Sequence, residues 1–75
     1  MPFSIINDGK TAFIENQSRH ELAVQVIALD GKGDYSKTLV PQGKLEINAP
    51  LPGVYVVLIQ DEKGFPFYRK IILQP

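Results

Sequence analysis

The chain has 75 residues, and its eight Lys and Arg balance eight Asp and Glu, leaving it formally neutral at pH 7. That length holds one small domain. The neutral balance lacks the basic footprint of a nucleic-acid binder, and 44% apolar residues are too many for a disordered tail. With no Cys there is neither a disulfide framework nor a thiolate metal site. No apolar run approaches the roughly 18 residues of a membrane span, and Met1-Pro2 is followed by neither the basic segment nor the apolar core of a signal peptide.

Apolar residues recur mostly with period two, between turns punctuated by six Gly and six Pro, which predicts strands. Phe3–Asn7 comes first and runs into Asn7-Asp8-Gly9, a tight-turn signal because glycine takes positive φ without strain. Thr11–Glu15 then completes a hairpin, and polar Asn16–Glu21 reads as a loop. Leu22–Leu29 is the longest candidate strand, ended by Asp30-Gly31-Lys32-Gly33-Asp34. Tyr35–Val40 stops at Pro41-Gln42-Gly43, and Lys44–Asn48 alternates cleanly. Pro50-Leu51-Pro52-Gly53 delivers the chain into Val54–Gln60, and Asp61-Glu62-Lys63-Gly64 turns it into Pro66–Leu73. Seven short strands with turn glycines at 31, 43, 53 and 64 predict an all-β fold: a small immunoglobulin-like antiparallel sandwich spanning residues 3–75.

The expected inward set is Ile5, Phe13, Leu22, Val24, Val26, Leu45, Ile47, Tyr55, Val57, Ile59, Ile71 and Leu73. Two strands break the inside-outside rule. Ile27 and Leu29 lie opposite Val24 and Val26, while Val54, Val56 and Leu58 lie opposite Tyr55, Val57 and Ile59. Because a two-layer sandwich covers one face of each sheet, Ile27, Leu29, Val56 and Leu58 form an apolar stripe. Either a loop and long neighbouring side chains cover it, or it docks on a partner domain or a second copy in a homodimer.

Catalytic chemistry is poorly supplied. The one His, His20, lies in a polar loop between Arg19 and Glu21, and Ser4, Ser18 and Ser36 have no nucleophile-elbow context. Asp30-Gly31-Lys32-Gly33-Asp34 lacks the ligand count of a calcium loop, and its glycines lack the Lys-Ser/Thr and following helix of a phosphate loop. Tyr35, Phe65, Phe67 and Tyr68 are the candidate aromatics for a sugar platform, but without Trp they read as the end of a core. The residues alone therefore predict no enzyme, no metal and no cofactor, and a module that binds or accompanies something else.

Three segments in order add to this: Val24-Gln25-Val26-Ile27-Ala28-Leu29-Asp30-Gly31-Lys32, Leu51-Pro52-Gly53-Val54-Tyr55-Val56-Val57, and Arg69-Lys70-Ile71-Ile72-Leu73. The series resembles the C-terminal sorting domain (type A) of cargo proteins of the type IX secretion system of Bacteroidetes. The family's order is a strand ending in an Asp-Gly-type turn, a short alternating strand, a Leu-Pro-x-Gly-x-Tyr segment, and a terminal strand of the Lys-Lys-Ile-Ile-Leu kind. The resemblance covers roughly residues 3–75 and implies a C-terminal domain closing a longer cargo, with residue 1 a cut within it. It implies an address: recognition by the outer-membrane secretion machinery, then removal by a sortase-like peptidase as the cargo is anchored at the cell surface. The location implied is the periplasm, in transit to the outer membrane and beyond. The recognition residues implied are Gly53 and Tyr55, with Gly53 allowing the turn and Tyr55 packing inward, and Arg69, Lys70, Ile71, Ile72 and Leu73. The alternative is a fibronectin- or immunoglobulin-like accessory module binding a protein or glycan; an inhibitor would need a prominent exposed loop, for which only Asn16–Glu21 is available.

Overall fold

A computed structural model describes residues 2–29, 34–48 and 52–74. Its seven strands are β1 (Phe3–Asn7), β2 (Thr11–Asn16), β3 (Leu22–Ala28), β4 (Tyr35–Leu39), β5 (Lys44–Asn48), β6 (Gly53–Gln60) and β7 (Pro66–Leu73). Each expected strand is present, its ends within one residue of the expected ones. The expected turns at 30–33 and at Pro50-Leu51 lie outside the described residues.

The strands form two antiparallel sheets, β1-β2-β5 and β4-β3-β6-β7. The sandwich is thus all-β, as its turn spacing implies. Compared with the constant-type immunoglobulin arrangement, the fourth strand pairs with the sheet of β3, β6 and β7. Between the sheets lies one core, made mainly by Leu22, Val24 and Val26 from β3, Leu45 and Ile47 from β5, Tyr55, Val57 and Ile59 from β6, and Ile71 and Leu73 from β7.

The expected inward set is corrected on β2. Phe13 points out and is 41% exposed, while Ala12, Ile14 and Asn16 point in and are fully buried. On β1, Ile5 faces inward as expected and packs half-buried against the core, and Phe3 on the same face holds the deeper position. A period of two offers two faces, and a one-residue slip exchanges them. The choice is made by partners far along the chain: Ile14 pairs with Ile5 and Leu45, and Ala12 with Ile47. It is also made by Asn16. Its Nδ2 donates to the carbonyls of His20 (2.8 Å), Leu39 (3.0 Å) and Val40 (3.1 Å). Its Oδ1 accepts from Ser18 N–H (2.9 Å) and Ser18 Oγ (2.7 Å). A buried amide so fully satisfied ties the β2–β3 loop to the end of β4.

The turns divide the work differently from the glycine count. Gly9 and Gly64 take positive φ, 94° and 83°. In the 40–43 turn the left-handed residue is Gln42, at φ 65°, and Gly43 N–H closes the turn on Val40 C=O at 2.8 Å. Gly43 is needed for close approach, since a Cβ there would sit 2.9 Å from the Val40 carbonyl oxygen. In the first hairpin, Asp8 Oδ1 accepts from Lys10 N–H (2.9 Å) and Thr11 N–H (2.7 Å). The Thr11 bond is the chief cause holding the Asp8 carboxyl below its ordinary range, followed by that from Lys10.

Candidate functional site

The residues that the resemblance singles out meet on β6 and β7. Gly53 pairs with Leu73 and Tyr55 with Ile71, so the Gly-x-Tyr segment lies directly opposite the terminal segment. Side chains alternate from there. Tyr55, Ile71 and Leu73 point into the core and are buried. Gly53 opens β6 without positive φ, and an added Cβ would meet only the Tyr55 ring, at 3.9 Å. The role expected of it as a turn glycine is therefore corrected: Gly53 is a strand residue. Of the seven residues, Arg69, Lys70 and Ile72 are the exposed ones.

The apolar stripe and β7 form one surface. Across the outer face of the four-stranded sheet, Ile27, Val56 and Lys70 stand in one row, and Gln25, Leu58 and Tyr68 in the next. Val54 and Ile72 form a third row, with Leu29 alongside through its N–H bond to Val54 C=O at 3.1 Å. Ile27, Val56 and Leu58 are half-buried by their neighbours, whereas Leu29, Tyr68 and Ile72 are 61%, 69% and 52% exposed. The first explanation of the stripe thus holds for its middle, which long neighbouring side chains cover, while its margins are open. Tyr68 was missed as a member of this surface, although the period-two phase of Pro66, Tyr68, Lys70 and Ile72 carries the signal. Lys70 is the one charged strand residue on this face among those described.

The backbone of β7 can be assigned residue by residue. Leu29 N–H bonds Val54 C=O, so the even-numbered residues of β6 face β3 and the odd ones face β7. Through the register, Phe67, Arg69, Ile71 and Leu73 bond to β6, while Tyr68, Lys70 and Ile72 turn their N–H and C=O groups to the open edge. Two bonds from the opposite sheet agree: Ile72 C=O accepts from Asn7 Nδ2 at 3.3 Å, and Gln74 N–H donates to Gly9 C=O at 2.6 Å. Phe3 and Phe67 meet edge to face, 5.3 Å between centroids, at the other end of the same seam. Between these two closures β7 is uncovered.

Arg69 stands on the inward phase of this edge strand, opposite Val57, and remains exposed. Among the described residues the ion pairs are His20 Nδ1 to Glu62 Oε2 (2.9 Å) and Lys44 to Glu15 (3.7 Å), so Arg69 and Lys70 are unpaired cations. His20 clips its loop to the β6–β7 turn through Glu62. Ser18 Oγ lies within hydrogen-bond reach of Asn16 Oδ1 and the His20 backbone. Asp61 Oδ1 accepts from the N–H groups of Lys63 and Phe65, both at 2.9 Å, and so shapes the β6–β7 turn. Comparison with protein-family models, with curated proteins and with solved structures finds no match to this chain.

Proposed function

We propose that this chain is a non-catalytic sorting domain. In this reading the outer-membrane machinery of type IX secretion recognises it in the periplasm, and a sortase-like peptidase removes it when its cargo reaches the cell surface. The observation that carries the reading is the placement of the terminal motif. Its apolar half, Ile71 and Leu73, closes the core, while Arg69, Lys70 and Ile72 are presented on an edge strand with free backbone groups. An address must be preformed and accessible, and that division of labour supplies both. Gly53 and Tyr55 serve recognition indirectly, by holding β6 against Leu73 and Ile71.

The test fuses residues 1–75 to the C-terminus of a reporter bearing a signal peptide, in a type IX-competent bacterium. Deleting the last five residues is a poor probe, because losing Ile71 and Leu73 costs about 2–5 kcal/mol each, comparable to the whole stability of a domain this size. The double variant Arg69→Glu/Lys70→Glu changes only exposed charges and leaves that core alone. The parent fusion is expected outside the cell with the domain cut off, and the folded double variant in the periplasm. A parent fusion held in the periplasm, while an established sorting domain exports the same reporter, refutes the reading and favours an accessory module that binds a protein or glycan.

A further inference from the structure

We infer that the open edge of β7 is a strand-addition site for an extended segment of another protein, apolar in pattern and carrying two adjacent carboxylates.

The geometry comes from the backbone phase. Pro66 C=O, both groups of Tyr68, both groups of Lys70 and Ile72 N–H face outward from the sheet edge, and none has a backbone partner among the described residues. At eight residues β7 is longer than β1, β4 or β5, the other strands that end a sheet, which have five each. Ile72 C=O and Gln74 N–H are already taken by Asn7 and Gly9, so an added strand is confined to the stretch from Pro66 to Ile72. Main-chain bonds of this kind supply affinity, and alternate side chains supply selectivity.

The charges choose the occupant. Edge strands are commonly protected by proline and by inward-pointing charges, and β7 has both, in Pro66 and Arg69. A second copy pairing antiparallel about Arg69 or Lys70 would set cation against cation, and in any register β7 offers no carboxylate to offset them. Like charges brought together at an interface are strongly unfavourable, so the edge discriminates against its own kind. A strand with one acid opposite Arg69 on the inner side and the next opposite Lys70 on the outer side neutralises both. Its flanking apolar residue would lie beside Tyr68 and extend the outer apolar face. The other edges lack this adjacent pair of free cations: on β5, Lys44 is paired with Glu15 and Glu46 holds Asn48 Nδ2 at 2.9 Å, β4 carries the single cation Lys37, and β1 carries no charge.

This proposal rests on reading β7 as the recognition strand and names the chemistry of its partner. Its test uses no secretion machinery, so a failure here leaves the export reading standing, and the reverse also holds. The probe is the capped peptide Thr-Val-Glu-Asp-Val-Thr, titrated into the isotopically labelled domain, with the version carrying Lys at both acidic positions as control. The acidic peptide is expected to saturate below millimolar concentration and to slow amide exchange at Tyr68, Lys70 and Ile72. Phe67, Arg69 and Ile71 should be protected in the free protein already. Tyr68→Pro, which removes an outward N–H without breaking a bond to β6, should weaken binding about fivefold. Arg69→Glu/Lys70→Glu should reverse the preference toward the lysine peptide, each lost pair costing about two- to fivefold in affinity. Equal binding of both peptides to the parent, protection without the alternate-residue pattern, or no saturation by the acidic peptide would overturn the proposal.

Discussion

Replacing Asn16 tests whether one buried amide holds the end of the sandwich together. In Asn16→Ala, Leu39 C=O loses its 3.0 Å donor and Ser18 N–H its 2.9 Å acceptor. Leu39 C=O keeps Leu22 N–H in the β3–β4 ladder and Val40 C=O keeps Gly43 N–H at 2.8 Å, while the Ser18 hydroxyl, released from Asn16 Oδ1, can donate to His20 C=O at 2.9 Å. The lost buried hydrogen bonds are worth about 0.5–1.5 kcal/mol each, net, and the lost amide volume adds to them, so a total of roughly 2–4 kcal/mol is expected. For a domain this size that lowers the melting temperature by about 10–25 °C. Asn16→Asp should be worse than Ala at neutral pH, since a buried carboxylate would then face carbonyl oxygens it cannot donate to. Urea denaturation followed by far-ultraviolet circular dichroism gives the comparison. A loss below about 0.5 kcal/mol for Ala, typical of an ordinary surface site, or an Asp variant as stable as the parent, would refute the assigned role of Asn16.

The 40–43 turn predicts opposite signs at adjacent positions. Gln42→Gly relieves a left-handed strain of about 1–2 kcal/mol, offset in part by glycine's greater freedom when unfolded, for a net gain of roughly 0.5–1 kcal/mol in the same denaturation assay. Gly43→Ala should destabilise, because its Cβ meets the Val40 carbonyl at 2.9 Å; an unchanged midpoint would show that the turn shifts freely. If the apolar outer face associates, the parent should show concentration-dependent sedimentation that weakens in Leu58→Lys, whereas a parent monomeric at every concentration removes the idea. For Asp8, whose carboxyl is held below the ordinary range, the unfolded chain takes up the proton first. The stability it contributes is therefore complete above about pH 4 and declines as pH falls through its folded value. Asp8→Asn should flatten that acid limb, and an unchanged slope would count against the Thr11 and Lys10 bonds.

The seven strands were legible because their punctuation is local: Asn7-Asp8-Gly9 and Asp61 through Gly64 announce turns whatever the rest of the chain does. What could not be read was set by partners distant in sequence. Phe13 is larger and more apolar than Ala12, yet Ala12 and Ile14 face the core because Ile47 and Leu45 lie across from them. Asn16 looked like the first residue of a loop, since nothing nearby indicates that the carbonyls of Leu39 and Val40 will accept from its amide. Glycine counting misplaced the strain in the 40–43 turn, which falls on Gln42. On β7, the resemblance pointed to Arg69 and Lys70, and the period of two separates Arg69 on one face from Lys70 on the other. The free backbone groups between them emerge only once the β6–β7 register is known.

The bond from Asn7 Nδ2 to Ile72 C=O spans 65 residues, and Gln74 reaches back to Gly9 beside it. Such closures form late, because the loop entropy must be overcome before they contribute. The closed end of the β7 edge is therefore a property of the finished fold: while the first hairpin is unmade, the strand that carries Arg69 and Lys70 is held at this end by β6 alone. A strand added along β7 would stop at Ile72, against two hydrogen bonds supplied by the opposite end of the chain.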